Sequence, residues 1–276
     1  MKEWEGRGMI EKMPIPPKKS LGQNFLVDKS VVSRIVEAAG VGPEDFVVEV
    51  GPGTGVMTRE LAKRAGRVLA IELDERLIKD LRREFEYSEN VEILHEDALK
   101  FDFRRLERKA KVIANLPYYI STPIISRLIA ARENVSLMVL MLQKEVAERI
   151  TAPPGGKEYG YLSVMVQLYV EARTLFTVPP GAFLPVPKVE SAVVLLRVLD
   201  EPAVACRDYT LFEKVVSAAF SQRRKTLRNT LKASRLVPPE SIETAGEKAG
   251  IDLTRRGETL SLAEFARLTD NLAEFI

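Results

Sequence analysis

Apolar residues along the chain alternate between short continuous runs and runs at helical spacing. The first such pair is a strand-like run, Phe46–Val50, followed by a helical pattern over Val56–Ala65. Before it, Asp28 precedes a helical pattern that ends near Gly40. Six further strands are predicted at Arg67–Ile71, Val91–His95, Lys111–Ala114, Val135–Leu142, Arg173–Val178 and Ala192–Val198. Further helices are predicted at Glu75–Phe85, from Ser121, at Lys144–Ile150 and at Tyr161–Tyr169. This order predicts an α/β fold with a mostly parallel seven-stranded sheet covered on both faces.

Strand signals stop near residue 200, and helical patterns follow. Thr210 with Glu213, and Ser261 with Glu264, have the spacing of capping boxes that begin helices. We therefore predict a small all-helical domain over residues 207–276, after an α/β domain over residues 20–200. Residues 1–19 carry several prolines and charges, which predicts a flexible basic head.

Composition narrows the function classes. The chain has 276 residues, of which 46% are apolar and 29% charged, a balance typical of globular proteins. No apolar run approaches the ~20 residues that span a bilayer, and no secretory signal core is visible. A single cysteine and a single histidine exclude a disulfide and argue against a metal site. We expect a cytoplasmic, metal-free protein without membrane contact. We also expect a monomer, because the cores of the two domains account for the apolar faces of the predicted strands and helices.

A glycine-rich turn, Gly51-Pro-Gly-Thr-Gly55, lies between the first strand of the sheet and its helix. Its glycines, Gly51 and Gly53 among them, allow a tight turn and a close ligand approach. The G-x-G-x-G spacing differs from that of dinucleotide-binding turns. Glu72 and Asp97 follow the next two strands, where they can bind the ribose hydroxyls and the adenine amino group. The alternative is that both are solvated loop acids. The combination favours S-adenosylmethionine over NAD.

The segment Asn115-Leu116-Pro117-Tyr118 directly follows the strand Lys111–Ala114. It places an amide, a rigid bend and an aromatic ring at the sheet edge. The amide oxygen and a backbone carbonyl can accept from an exocyclic amine, and the ring can stack on a base. The pattern indicates methyl transfer to a base nitrogen, although Tyr118 could also be an ordinary core or rim aromatic.

A basic run lies in the helical domain. Between Ser221 and Arg235 there are six cations and no acidic residue, on a chain whose net charge is only +2. The cations are Arg223, Arg224, Lys225, Arg228, Lys232 and Arg235. The run predicts a polyanionic partner, with a solvated helix face as the alternative.

Several blocks in order resemble the small-subunit ribosomal RNA adenine N6,N6-dimethyltransferase family, from about Lys18 to the C-terminus. The blocks are Leu21-Gly-Gln-Asn-Phe-Leu26, Glu49–Gly55, Glu72, Asp97, Asn115–Tyr118, Phe183–Ser191 and Phe220–Asn229. Macrolide-resistance methyltransferases of large-subunit RNA share the first five, and the last block favours the small-subunit enzymes. Glu96 and Tyr161 depart from the family, where a glycine and an arginine are common.

The resemblance implies a Rossmann-like methyltransferase domain and a helical RNA-binding domain. It implies that positions Asn24, Leu26, Gly51, Glu72, Asp97 and Asn115 bind S-adenosylmethionine. It further implies that Asn115, Leu116 and Tyr118 hold the target adenine and that Phe183 packs on its other face, with an ordinary core position as the alternative for Phe183. Two adjacent adenines near the 3′ end of small-subunit RNA, in a pre-ribosomal particle, would each be methylated twice, releasing S-adenosylhomocysteine. The alternatives are a large-subunit enzyme of the resistance type and a non-catalytic assembly or transcription factor.

Overall fold

A computed structural model describes residues 15–276, and the first fourteen residues of the predicted flexible head lie outside the described part. The chain divides into two compact units. One contains the residues up to Ala147 together with Ala172–Val198, and the other contains Glu148–Glu171 with Leu199–Ile276. The assignment of separate functions to domains 20–200 and 207–276 stays a prediction.

The strands and helices follow the predicted order. The strands are β1 Phe25–Leu26, β2 Phe46–Val50, β3 Arg67–Glu72, β4 Val91–His95, β5 Ala110–Asn115, β6 Val135–Gln143, β7 Val170–Val178, β8 Phe183–Leu184 and β9 Ser191–Val198. The helices are α1 Lys29–Ala38, α2 Val56–Ala62, α3 Glu75–Glu84, α4 Ser121–Ala130, α5 Lys144–Thr151, α6 Tyr161–Gln167, α7 Tyr209–Phe220, α8 Leu227–Ser234, α9 Pro239–Ala249 and α10 Leu262–Leu272.

Seven strands form one sheet in the order β4-β3-β2-β5-β6-β9-β7. The first five are mutually parallel, and β9 runs antiparallel to β6. The prediction of a mostly parallel seven-stranded sheet is confirmed. From β2 the chain adds β3 and then β4 on one side of the sheet, and β5 and then β6 on the other side of β2. The strand order therefore reverses between β2 and β5, which makes this a topological switch point. Ligands of open α/β sheets bind at such a point, beyond the carboxyl ends of the strands.

A separate two-stranded ribbon pairs β1 with β8, with Phe25 opposite Leu184 and Leu26 opposite Phe183. The sequence did not predict this pair, because two residues are too few to show a periodicity. The ribbon joins the N-terminal block Leu21–Leu26 to the Phe183 segment, which lies almost 160 residues later in the chain.

The core of the first unit lies between the sheet and its helices. Val47 and Ile113 of the sheet, together with Ile35 of α1 and Leu61 of α2, are fully buried in one cluster. Each such side chain contributes about 1.5–3 kcal/mol of burial free energy. Because this packing fixes β2 and β5 side by side, it also fixes the residues at their carboxyl ends.

The second unit has its own helical core around Phe212, Leu227, Ile242 and Phe265. The predicted capping box at Ser261 and Glu264 is confirmed, since each residue's side chain bonds the other's backbone N–H. The predicted box at Thr210 is wrong. The N-cap of α7 is Asp208, two residues earlier, because the Asp208 carboxylate accepts from the N–H groups of Thr210 and Leu211.

Candidate active site

A cavity opens at the carboxyl ends of β2, β3 and β5 in the first unit. Six segments that are distant in the sequence meet there. The lining residues are Leu21–Phe25, Val50, Gly51, Gly53, Ile71–Leu73, Glu96–Leu99, Asn115–Ile120 and Phe183. Of the residues predicted for cofactor and base binding, Leu26 alone is not in the lining. It is buried in the core, beside Phe183 in the ribbon.

The glycine-rich turn has a backbone conformation that other residues adopt only with strain. Gly51 has a φ angle of +72° and Gly53 of +60°. A Cβ atom on Gly53 would also lie 3.0 Å from the ring of Phe25. The turn therefore needs glycine for its backbone angles and for the close approach of the N-terminal block.

Glu72, at the end of β3, organises the neighbouring backbone. Its Oε2 accepts from the N–H of Gly53 at 3.1 Å, and its Oε1 accepts from the N–H groups of Leu73 and Asp74, both at 2.8 Å. Burial raises the pKa of this carboxyl, and the backbone donors partly oppose that shift. An ionised carboxylate has about four acceptor positions, so three are used and one is left. Glu72 can thus accept from one ribose hydroxyl in this arrangement. To accept from a second hydroxyl, it would have to lose one of its hydrogen bonds to the backbone N–H groups.

Glu49 lies in β2, two residues before the glycine-rich turn, and is fully buried. Neither carboxyl oxygen has a hydrogen-bond partner within residues 15–276, and the nearby hydroxyl of Thr58 is likewise without one. Burial raises the pKa of Glu49 to about 8, with a smaller contribution from the charge of Glu72. The raised pKa favours the protonated, neutral form at pH 7, because a charge buried without a partner is costly.

Asp97 and Tyr119 line the opposite side of the cavity. The Oδ1 atom of Asp97 accepts from the N–H of Leu99 at 2.9 Å, which fixes the carboxylate over the turn after β4. Tyr119 is 56% exposed, and a Cβ on Gly22 would approach its ring within 3.1 Å. Burial, followed by the charges of Asp97 and Glu72, raises the pKa of the Tyr119 phenol. Tyr119 has no separate role among the sequence predictions, because a second tyrosine in a row carries no spacing signal.

The Asn115 side chain joins the base-side motif to the N-terminal block. Its Nδ2 donates to the carbonyl oxygen of Asn24 at 3.1 Å. Because the amide nitrogen makes this bond, the amide oxygen points away from the Asn24 carbonyl and can accept a hydrogen bond from a ligand. The following residue, Leu116, is buried, and its N–H donates to the Met141 carbonyl of β6. This bond holds the backbone of the motif against the sheet.

Two aromatic residues border the motif. The hydroxyl of Tyr118 lies 2.9 Å from the Oγ of Ser191, which ties the ring to the start of β9. Phe183 is only 2% exposed, although it contributes to the cavity wall. The structure therefore brings both predicted stacking residues to one cavity, where Phe183 forms part of the buried wall.

A polar anchor that the sequence analysis missed holds the N-terminal block in place. The Nε2 of Gln23 donates to Asp74 at 2.9 Å, and its Oε1 accepts from the N–H of Lys18 at 2.7 Å. Asp74 is buried and also binds Arg76, whose guanidinium lowers the pKa of this carboxyl to about 2. Gln23 in the Leu21–Leu26 block was the only sequence feature that indicated this anchor. A single amide side chain does not identify its hydrogen-bonding partner.

The four predicted RNA-binding cations of the second unit differ in their partners. Arg228 forms a bidentate ion pair with Glu243, in which its Nε and Nη2 atoms donate to the two carboxylate oxygens at 2.7 and 3.1 Å. Arg223 donates to the Lys157 carbonyl at 3.4 Å and forms no ion pair with the described residues. Arg224 and Lys225 are exposed, and neither forms an ion pair with the described residues. The free positive charge is therefore concentrated at 223–225, in the turn between α7 and α8.

No helix within residues 15–276 has the length and apolarity that crossing a bilayer requires. Nor does this part of the chain contain a cluster of three His, Cys, Asp or Glu side chains arranged as metal ligands.

The strand order, the glycine turn and the polar residues at one sheet edge define a Rossmann-like methyltransferase. The model of the family described as ribosomal RNA adenine dimethylase matches residues 16–274. The chain belongs to this family, and the resemblance found in the sequence is confirmed. It is an S-adenosylmethionine-dependent family, as the glycine turn predicted.

Curated relatives are similar over nearly the whole chain. The ribosomal RNA small subunit methyltransferase A of Clostridium acetobutylicum is 46% identical over 275 residues, which cover 99% of each chain. The protein of the same name from Clostridium botulinum strain Kyoto is 48% identical over 97% of this chain and 98% of its own.

Solved structures agree with this assignment. A dimethyladenosine transferase from Plasmodium falciparum superposes with a TM-score of 0.78 and 28% identity, over 88% of this chain and 95% of its own. The 23S rRNA methyltransferase ErmE gives a TM-score of 0.72 and 29% identity, over 91% of this chain and all of its own.

Proposed function

We propose that the protein transfers methyl groups from S-adenosylmethionine to N6 of two adjacent adenosines near the 3′ end of small-subunit ribosomal RNA. Each adenosine receives two methyl groups, and S-adenosylhomocysteine is released. The observation that carries the proposal is the meeting of Glu72, Asp97 and the Asn115–Tyr118 motif around one cavity. The chain also belongs to a family described by this chemistry.

The cavity fits the methyl donor by its own geometry. Gly51 and Gly53 leave room for close approach, and a side chain on Gly53 would collide with the cavity wall. Glu72 retains one acceptor position for a ribose hydroxyl, and Asp97 keeps its second oxygen for an amino group. We propose that these residues, with Asn24 and Asn115, hold S-adenosylmethionine, whereas the buried Leu26 supports the wall from the core. When bound, it supplies an electrophilic methyl group.

The base-side residues would make the adenine nitrogen nucleophilic. The N6 lone pair of adenine is delocalised into the ring, so N6 reacts poorly by itself. The amide oxygen of Asn115 and the carbonyl of Leu116 would accept the two N6 hydrogens and return electron density to the nitrogen. Correct positioning of this kind can supply up to about 7–11 kcal/mol of a barrier. A general base is not required, because the methylated aminium is strongly acidic.

The target adenosine has to leave its stack to reach the cavity. Tyr118 and Phe183 would hold the extruded base between them, each stack contributing roughly 1–3 kcal/mol. The hydrogen bond between Tyr118 and Ser191 supports this role, because it fixes the ring before the base arrives.

The second unit would bind the RNA. Arg223, Arg224 and Lys225 form a compact positive site suited to phosphate groups, to which Arg228 contributes less because of its ion pair. So short a site cannot select one position in ribosomal RNA. We therefore infer that a partly assembled small-subunit particle supplies the selectivity by its shape. A cytoplasmic monomer is the form that we propose to act on it.

Two other functions compete with this proposal. A large-subunit enzyme is disfavoured, because the relatives named for the small subunit are 46–48% identical, against 29% for the 23S enzyme. A non-catalytic assembly or transcription factor is disfavoured by the intact glycine turn, Glu72, Asp97 and Asn115.

The proposal is tested by binding and by transfer. Calorimetry should detect S-adenosylmethionine binding to the isolated protein. Label from the donor's methyl group should then pass to immature small subunits and not to large subunits. Binding without transfer would support the non-catalytic alternative, and transfer to large subunits would support the resistance-type enzyme.

A further inference from the structure

The loop between β8 and β9, residues 185–190, is fixed at both ends to the walls of the cavity. We call it the valine loop. Phe183, just before it, lines the cavity, and Ser191, just after it, is bonded to Tyr118. The Lys144 N–H also donates to the Glu190 carbonyl at 3.0 Å, and their side chains form an ion pair at 2.8 Å.

The sheet register places this loop at the edge where the cavity opens. Ser191 is paired with Gln143, the last residue of β6, and Asn115 with Met141. Residues 185–190 therefore lie beyond the carboxyl ends of the parallel strands. At no more than about 3.6 Å per residue, Val186 is within about 11 Å of Phe183, and Val189 within about 7 Å of Ser191.

The tip of the loop exposes apolar side chains that a free surface does not require. Val186 is 58% and Val189 45% exposed. Eight large hydrophobic side chains are exposed among the described residues, and Val186 and Val189 are two of them. Two more of the eight, Leu73 and Tyr119, line the cavity. Half of the exposed large hydrophobic residues thus lie at or beside the cavity. Such a concentration marks an interaction surface.

The composition of the tip fits nucleic acid. Lys188 lies between the two valines, is exposed, and has no ion-pair partner among residues 15–276. Prolines at 185 and 187 restrict the backbone. Proteins that distort nucleic acids insert apolar side chains between bases and place cations on the adjoining phosphates.

We propose that the valine loop occupies the space left by the extruded adenosine. Val186 and Val189 contact the bases next to the gap, and Lys188 contacts a phosphate there. The loop lowers the cost of unstacking, which is a few kcal/mol. This inference rests on the proposed function, because it requires an RNA base as the target.

The test uses the full chain and immature small subunits whose RNA carries 2-aminopurine at the target position. Saturating wild-type protein should raise the fluorescence, because an unstacked base is less quenched. The double variant Val186→Ser, Val189→Ser should lose most of this rise while binding the RNA. Its single-turnover rate on immature small subunits should fall at least about tenfold, equivalent to ~1.4 kcal/mol. Binding of S-adenosylmethionine should not change.

Two further variants control the test. Val27→Ser removes a valine of similar exposure, 43%, outside the loop, and should behave as wild type. Lys188→Ala should weaken RNA binding and reduce its salt slope by about one. A double variant that extrudes the base as well as wild type would overturn this inference alone. A wild type that neither extrudes 2-aminopurine nor methylates the adenosines of unlabelled immature small subunits would overturn the proposed function and this inference with it.

Discussion

The side-chain amide of Asn115 donates a 3.1 Å hydrogen bond to the main-chain carbonyl of Asn24, a residue 91 positions earlier in the chain. The bond couples the N-terminal block to the Asn115–Tyr118 motif. It also sets the orientation of the Asn115 amide, so that the oxygen is free for the amine of a substrate. One side chain thus connects the proposed cofactor-binding and base-binding parts of the cavity.

We expect Asn115→Ala to retain measurable cofactor binding and to lose transfer. Removing one preorganised hydrogen-bonding group from a reacting centre lowers turnover by about 10²–10³-fold. Calorimetry with S-adenosylmethionine and single-turnover transfer to immature small subunits separate the two effects. Asn134→Ala is the control, because Asn134 also donates to a carbonyl, that of Leu106, but is not in the cavity lining. Normal turnover by Asn115→Ala would rule out the proposed base contact.

Tyr118 permits a matched pair of substitutions. Tyr118→Phe removes the hydroxyl bonded to Ser191 but keeps the ring, so turnover should stay within a few-fold of wild type. Tyr118→Ala also removes the ring, and a stacking loss of 1–3 kcal/mol corresponds to about 5- to 150-fold. Steady-state kinetics on small-subunit particles measures both. If the two variants were equally impaired, the hydroxyl and not the stacked ring would be the important group.

The turn between α7 and α8 should carry most of the electrostatic attraction to RNA. The double change Arg223→Glu, Arg224→Glu should lower RNA affinity at least about tenfold and flatten its salt dependence. Arg228→Ala should have a much smaller effect, because Glu243 already pairs with Arg228. Filter binding at several salt concentrations compares them. Unchanged affinity in the double variant would remove this turn from the RNA interface.

Glu49 should make the protein less stable as the pH rises. Its pKa is about 8 in the folded chain and near 4.5 when exposed, so the folded state binds more protons between these values. Stability attributable to this group is complete below pH 4.5 and is lost as the pH approaches 8, on the order of 1 kcal/mol per pH unit.

Glu49→Gln tests this linkage, because it keeps the shape and removes the titration. Urea unfolding at pH 5, 7 and 9 should show a smaller loss of stability in the variant than in wild type. Parallel pH profiles for the two proteins would show that Glu49 is ionised in the folded state.

Much of this architecture follows from local patterns. The strands of the seven-stranded sheet have apolar runs long enough to be recognised, and the glycine turn at 51–55 is explained by its positive φ angles. The ribbon of Phe25 and Leu26 was missed because its pairing with Phe183 and Leu184 is purely long-range.

Polar partners were harder to predict than elements. Glu72 was expected to bind both ribose hydroxyls, yet three of its acceptor positions serve backbone N–H groups. Arg228 was grouped with the free cations, although Glu243 lies 15 residues later and pairs with it. In both cases the tertiary fold brings a second hydrogen-bonding partner next to the side chain. The identity and spacing of residues in the sequence do not reveal that partner.

The most direct measurement maps the modified nucleotides. Immature small subunits incubated with the protein and S-adenosylmethionine would be digested and analysed by mass spectrometry. The account predicts two adjacent N6,N6-dimethyladenosines near the 3′ end of the small-subunit RNA, and none in large-subunit RNA treated in parallel. Methyl groups confined to large-subunit RNA, or placed on an atom other than N6, would contradict it.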